Sequence, residues 1–167
     1  MKSRFHARSG WIMLTLPRLV LVLTVLFALA PGRAFSGPTE DASALFAKWK
    51  ITFDANDNVA IGKLYAEDAI LHGSRSGTLT IGREAITNYF EIVVGTGNKV
   101  QFIEHELRVV NPNTVLAVGF NDFLRNKHVT LTPEPARFTL LLVKQGDDWL
   151  IAHHHSSLRP APPQRDV

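Results

Sequence analysis

The chain contains no cysteine in its 167 residues. That excludes a disulfide scaffold and the acylated cysteine of a lipoprotein. Acidic residues are missing from the first 39 positions, where Lys2, Arg4, Arg8, Arg18 and Arg33 all lie. No Arg-Arg pair precedes the first apolar run, which argues against twin-arginine export and against a cofactor loaded before export. No Gly-rich strand-turn-helix fingerprint occurs, so nothing supports a nicotinamide or flavin site, and we assign no cofactor. A clustered basic face is also missing, and with it the footprint of a nucleic-acid partner. The formal charge of +3 belongs to the first segment. Five of the 18 bases precede residue 35, which leaves 13 against 15 acids, a net −2, in the remainder.

What is present begins with a basic start, Met1 to Gly10, followed by an apolar stretch from Trp11 to Ala30 and the small residues of Pro31 to Gly37. Basic start, short apolar run and small-residue end are the pattern of a secretory signal. Cleavage after Ala34 is preferred to cleavage after Ala30, because Pro31 would follow the second cut. The rival reading is an uncleaved anchor, since about 20 residues suffice to span a bilayer, but Arg18 would then sit inside it. The expectation is a signal peptide over 1–34, one domain over 35–160 and a flexible tail over 161–167. The product would be periplasmic or secreted and touch a membrane only through the signal segment.

Within the domain, Leu45, Phe46, Trp49 and Phe53 recur at helical spacing behind a candidate cap at Thr39. Asn56-Asp57-Asn58 ends that helix and caps a second, whose apolar side carries Val59, Ile61, Leu64 and Tyr65. Glu67-Asp68 is read as a turn before a short strand, Ala69 to His72. A third helix follows Gly82, with Ala85, Ile86, Tyr89, Phe90, Val93 and Val94 on its apolar side. The texture then changes to strands. These run from Val100 to Val110, Thr114 to Phe123, Ala136 to Lys144 and Trp149 to Ser157, with Arg125 to Pro135 as a loop or edge piece. Segregated helices and strands imply an α+β fold in which a curved antiparallel sheet wraps round three N-terminal helices and leaves a cavity at its open end.

Three segments resemble the nuclear transport factor 2-like superfamily. They are Asp57 to Ile70, with Leu64-Tyr-Ala-Glu-Asp68, then Gly82-Arg-Glu-Ala-Ile-Thr-Asn-Tyr-Phe90, and Trp149 to Ser157 with Pro160. The branch they resemble holds SnoaL-like proteins, the SgcJ/EcaC group and the association domain of calcium/calmodulin-dependent kinase II. The resemblance spans Ala42 to Pro160 and implies a cone-shaped sheet. Because this fold hosts isomerases, cyclases, dehydratases, binding modules and assembly domains, it does not by itself name an activity.

The candidate site residues centre on His153-His154-His155. Alternation puts His153 and His155 on one face of the strand and His154 and Ser156 on the other, and leaves open which face looks inward. A histidine in the pocket would exchange protons near neutral pH. A metal site would need a third ligand beside His153 and His155, and none stands at a motif spacing, so no metal is assigned. The resemblance implies a pocket arginine near the start of a strand, carried over to Arg137, where it would hold a carboxylate. Of the two further pocket arginines it implies, one position is taken by Asn121 or Asp122 and the other by Ser156. Asp122 would be a general base if it faced the cavity, since the superfamily's isomerases and cyclases use a pocket carboxylate. Tyr65, Trp49 and Tyr89 would wall the cavity or the core.

Two functions follow as expectations. One is a self-associating domain that binds a small molecule, with organic acids among the candidate ligands, and that pairs through its apolar sheet face as a homodimer or larger homo-oligomer. The other is an acid-base enzyme of isomerase, cyclase or dehydratase type acting on an apolar carbonyl compound.

Overall fold

A computed structural model describes residues 37–128 and 130–161, and the expected signal segment and most of the tail lie outside those residues. Among the described residues no helix is long and apolar enough to cross a membrane.

The first helix, α1, is Pro38–Asp54. Its N-cap is Gly37 rather than Thr39, with Pro38 at the first helical position, where a missing N–H costs nothing. Glu40 and Asp41 occupy its first turn, where acids oppose the helix dipole favourably. Ala42, Leu45, Phe46, Trp49 and Phe53 form its buried stripe. Asp57 caps α2, Asn58–Gly62, by accepting the Ala60 N–H. Strand β1, Tyr65–His72, starts earlier than the periodicity suggests. Tyr65 therefore belongs to the sheet and not to the second helix, and Glu67-Asp68 falls within the strand, at an irregularity in its pairing. Helix α3, Arg83–Tyr89, tightens into a 3₁₀ turn over Phe90–Val93.

Strands β2 (Thr80–Ile81), β3 (Lys99–Asn111), β4 (Thr114–Lys127), β5 (Thr130–Gln145) and β6 (Asp148–Leu158) complete one open, curved sheet in the order β2-β1-β6-β5-β4-β3. Every neighbouring pair is antiparallel except β1 with β6, which is parallel. Between these two strands in sequence lie α3, the 3₁₀ turn and strands β2 to β5, which together supply the long connection a parallel pair needs.

The stretch expected as a loop or edge piece, Arg125 to Pro135, is a continuation of the β4–β5 hairpin, with Arg125 paired to Thr132. Its prolines are tolerated for a positional reason. The Pro135 carbonyl accepts the Arg159 N–H on the side where β6 has already ended. The missing proline N–H groups therefore face no ladder partner.

The core lies between the inner sheet face and the α1 stripe. Phe46 packs on Phe102 and Phe138, Trp49 on Phe53, and Phe53 on Phe123, at centroid distances of 5.1 to 5.6 Å. Burying rings of this size contributes roughly 1.5–3 kcal/mol each.

Candidate functional site

The inner face of β6 is set by an irregularity. Leu142 pairs with Ile151 and Leu141 with His153, so Ala152 is one residue extra. An extra residue of this kind reverses the alternation beyond it. Ile151, His154 and Ser156 are consequently all buried, at 1%, 6% and 5% exposure. His153 and His155 stand on the outer face, where His155 stacks on His72 at 5.2 Å.

His154 closes a hydrogen-bonded chain. The Trp49 indole Nε1–H donates to the Tyr65 hydroxyl at 3.1 Å, and that hydroxyl lies 2.7 Å from His154 Nδ1. The Tyr65 hydroxyl oxygen accepts from the indole and has no other acceptor for its own hydrogen among the described residues, so that hydrogen is assigned to His154. Nδ1 is then the acceptor, and the imidazole carries its proton on Nε2. Burial first, then the fields of His153 and His155, push the His154 pKa down to about 3, so the ring is neutral. Burial likewise pushes the Tyr65 phenol far above its ordinary range, against the opposing effect of the Trp49 hydrogen bond. The chain therefore delivers a fixed, uncharged N–H donor to the interior.

His154 lines a cavity of about 10 Å³ with Trp49, Phe102, Asn121, Phe123, Phe138 and Leu140, room for about one water. Asn121 is 3% exposed and is, with His154, the polar part of the lining. Ser156, opposite Phe138 on the next row of the sheet, has a buried hydroxyl with no partner among the described residues.

Phe123 also lines a second cleft, of about 30 Å³, beside Phe53, Phe90, Arg75 and Arg125. Here both arginines converge on Glu134. Arg75 Nη2 lies 2.9 and 3.0 Å from its two oxygens, and Arg125 Nε 2.7 Å from one. Burial pushes the Glu134 carboxyl up, but hydrogen bonding and charge from Arg125 and Arg75 outweigh it and hold the pKa below its ordinary value. Two guanidiniums on one carboxylate leave a local charge of +1.

Two expected site residues sit elsewhere. Asp122 pairs with Gln101 and Pro135 in the outward phase, because its neighbours Asn121 and Phe123 take the inward one. As placed, it cannot act as a base inside the cavity. Arg137 is exposed and donates from Nε to Ser157 at 3.0 Å on the outer face. It lies in mid-strand, since β5 begins at Thr130, and its phase is opposite to that of Ala136 and Phe138. The positive charges beside the interior are instead Arg75 and Arg125. The sequence did hold a signal for Arg125. Asn121, Phe123 and Arg125 share one phase, which shows once β4 is extended past Phe123. Among the described residues no three His, Asp or Glu side chains converge closely enough to hold a metal ion.

A family profile for the SnoaL-like domain matches residues 42–162. The chain belongs to the SnoaL-like domain family. Solved structures share the fold of this SnoaL-like domain. A candidate calcium/calmodulin-dependent protein kinase II association domain from Xanthomonas campestris is 28% identical, with 75% of this chain and 90% of that one covered and a TM-score of 0.69. An uncharacterized protein with a cystatin-like fold from Caulobacter vibrioides is 19% identical, with 73% and 89% covered and a TM-score of 0.61. A protein from Catenulispora acidiphila in complex with S-DNPA is 18% identical, with 71% and 90% covered and a TM-score of 0.62. No protein of curated function matches the chain. SnoaL-like domains commonly bind small molecules or act as isomerases.

Proposed function

We propose that this SnoaL-like domain is exported and self-associating, and that it binds a small organic acid with an apolar body. The observation that carries the binding reading is the neutral His154 imidazole, its Nδ1 held by Tyr65, beside Asn121 in an otherwise apolar cavity. A ligand acceptor such as a carbonyl or hydroxyl oxygen would hydrogen-bond these two side chains, at about 0.5–1.5 kcal/mol net for each bond. The carboxylate of the ligand would sit at Arg75 and Arg125, which keep unspent N–H donors around Glu134. A rotation of Phe123, which lines both spaces, would join them into one pocket. Export rests on the sequence pattern of residues 1–34, and self-association on the apolar residues of the outer sheet face, among them Val118 and Ile70.

The acid-base alternative receives less support. It placed the base at Asp122, which faces away from the cavity, and neither space is lined by another carboxylate.

The test uses the chain produced in full in an exporting host and recovered from the exported fraction. Native mass spectrometry reads processing at Ala34, oligomer and co-purified small molecules together. A panel of aryl and alkyl carboxylic acids is then titrated against Trp49 fluorescence, because Trp49 lines the cavity. Binding that weakens at least tenfold in both Arg125→Ala and Asn121→Leu, and is unchanged in Asp122→Asn, supports the reading. Binding indifferent to Arg125 and Asn121, or no binding across the panel, overturns it.

A further inference from the structure

The outer face of the sheet carries its charges in an order that no single copy can use. Pairing across the ladders places Glu106, Val118, Thr139, His155 and His72 in one row. The next row is Glu104, Phe120, Arg137 and Ser157, and the one on the other side is Arg108, Leu116, Leu141, His153 and Ile70. With strands ~4.8 Å apart, Glu106 lies roughly 14 Å from His155 and roughly 19 Å from His72, too far for either to meet it. Between the two ends lie apolar side chains, including the exposed Val118, and an open hollow of about 290 Å³ bounded by Glu104, Glu106, Phe120 and Arg137.

An isologous interface must be complementary to itself. A two-fold axis across the strands would set the glutamates of one copy on those of the other. An axis along the strands sets the glutamate end of each copy on the histidine and arginine end of its partner. We propose that the outer face docks a second copy about a two-fold axis running along the strands, so that Glu104 and Glu106 of each copy cover His72 and His155 of the other, and that this pairing tightens as the pH falls. The inference rests on the self-association reading above and specifies the geometry and regulation of that interface.

The charged groups on this face come from every strand but β2. They are Asp68 and His72 on β1, His153 and His155 on β6, Arg137 on β5, Asp122 on β4, and Glu104, Glu106 and Arg108 on β3. Beyond β6, Arg159 lies over the Phe120 ring at 4.3 Å. Within one copy, His155 is held below its ordinary pKa by burial and then by His72, Arg137 and His153. Glutamates supplied by a partner would oppose that repulsion and raise the His155 pKa in the dimer. Groups raised on association contribute below their free pKa and lose that contribution as the pH rises through the bound value. The window is therefore the histidine range, below about 6.5.

Sedimentation velocity of the exported protein, followed from about pH 8 to about pH 5.5, tests this. At low salt the dimer dissociation constant should fall about tenfold, the effect of the four exposed charge pairs that the two-fold makes from two, and high salt should erase the gain. Glu104→Gln with Glu106→Gln, and separately His155→Gln, should flatten the pH dependence while circular dichroism stays unchanged. A dimer whose affinity does not change with pH, or whose pH response survives both sets of substitutions, overturns the inference and leaves self-association standing. A monomer at every pH overturns both.

Discussion

The chain from Trp49 through Tyr65 to His154 makes Tyr65→Phe the sharpest perturbation of the interior. The substitution keeps the ring and removes one oxygen. It leaves two buried groups without a partner, the Trp49 indole N–H and the His154 Nδ1 lone pair. Each orphan costs about 1–3 kcal/mol, so the expected loss is about 3 kcal/mol of the roughly 5–15 kcal/mol typical of a domain. For a folded unit of this size, about 3–5 °C of Tm accompanies each kcal/mol, which predicts a fall of about 10 °C. Scanning calorimetry reads the stability. The ¹⁵N shifts of the His154 ring read the cause, since Nδ1 should lose its acceptor signature while Nε2 keeps its proton. Tyr89→Phe is the control. It removes a hydroxyl that accepts only a long bond of 3.3 Å from the exposed Arg75 N–H, so its Tm should move by less than about 2 °C. A Tyr65→Phe protein that melts with the wild type, or a wild-type His154 protonated on Nδ1, would refute the assigned direction of the chain.

Two further predictions concern stability. The His154 pKa is depressed to about 3 from the ordinary 6.5, so the unfolded chain binds the extra proton first, and its stabilising contribution is present above 6.5 and lost as the pH falls toward 3. About 2 kcal/mol should disappear between roughly pH 6.5 and pH 5; urea midpoints across that range should fall in the wild type and flatten in His154→Leu, and equal slopes would contradict a neutral buried imidazole. Gly119→Ala should destabilise by about 1–3 kcal/mol through overpacking, because a Cβ there would lie 2.2 Å from the Glu104 carbonyl oxygen and 2.7 Å from the His105 Cβ. Gly77→Ala, where nothing lies within 4 Å, should leave the urea midpoint in place, and equal midpoints for the two variants would count against the close approach of β3 to β4.

The sequence by itself determined the parts that repeat locally. The α1 stripe of Leu45, Phe46, Trp49 and Phe53 was legible from its spacing, because a helix facing a core must repeat its apolar residues every three or four positions. The Asp57 cap and the hairpin turn before Trp149 were legible from residue type. The fold class followed from the segregation of helices and strands, and three short motifs pointed to the family. The charge of the domain was legible once the basic first segment was set aside.

Only the tertiary structure decided which side chains look inward. Alternation alone leaves two equivalent choices for His153-His154-His155, and a single unpaired residue, Ala152, selects His154. Strand length decided in the same way for Arg125 and Arg137. Extending β4 and β5 through a proline-bearing stretch carries Arg125 to the mouth of the interior and leaves Arg137 outside. Pairings such as Arg75 with Glu134, 59 residues apart, have no local signature, because they exist only where the curved sheet brings distant loops and strand ends together. Local periodicity reports the environment that a segment needs, while phase, register and long-range contact are set by the neighbours it meets after folding.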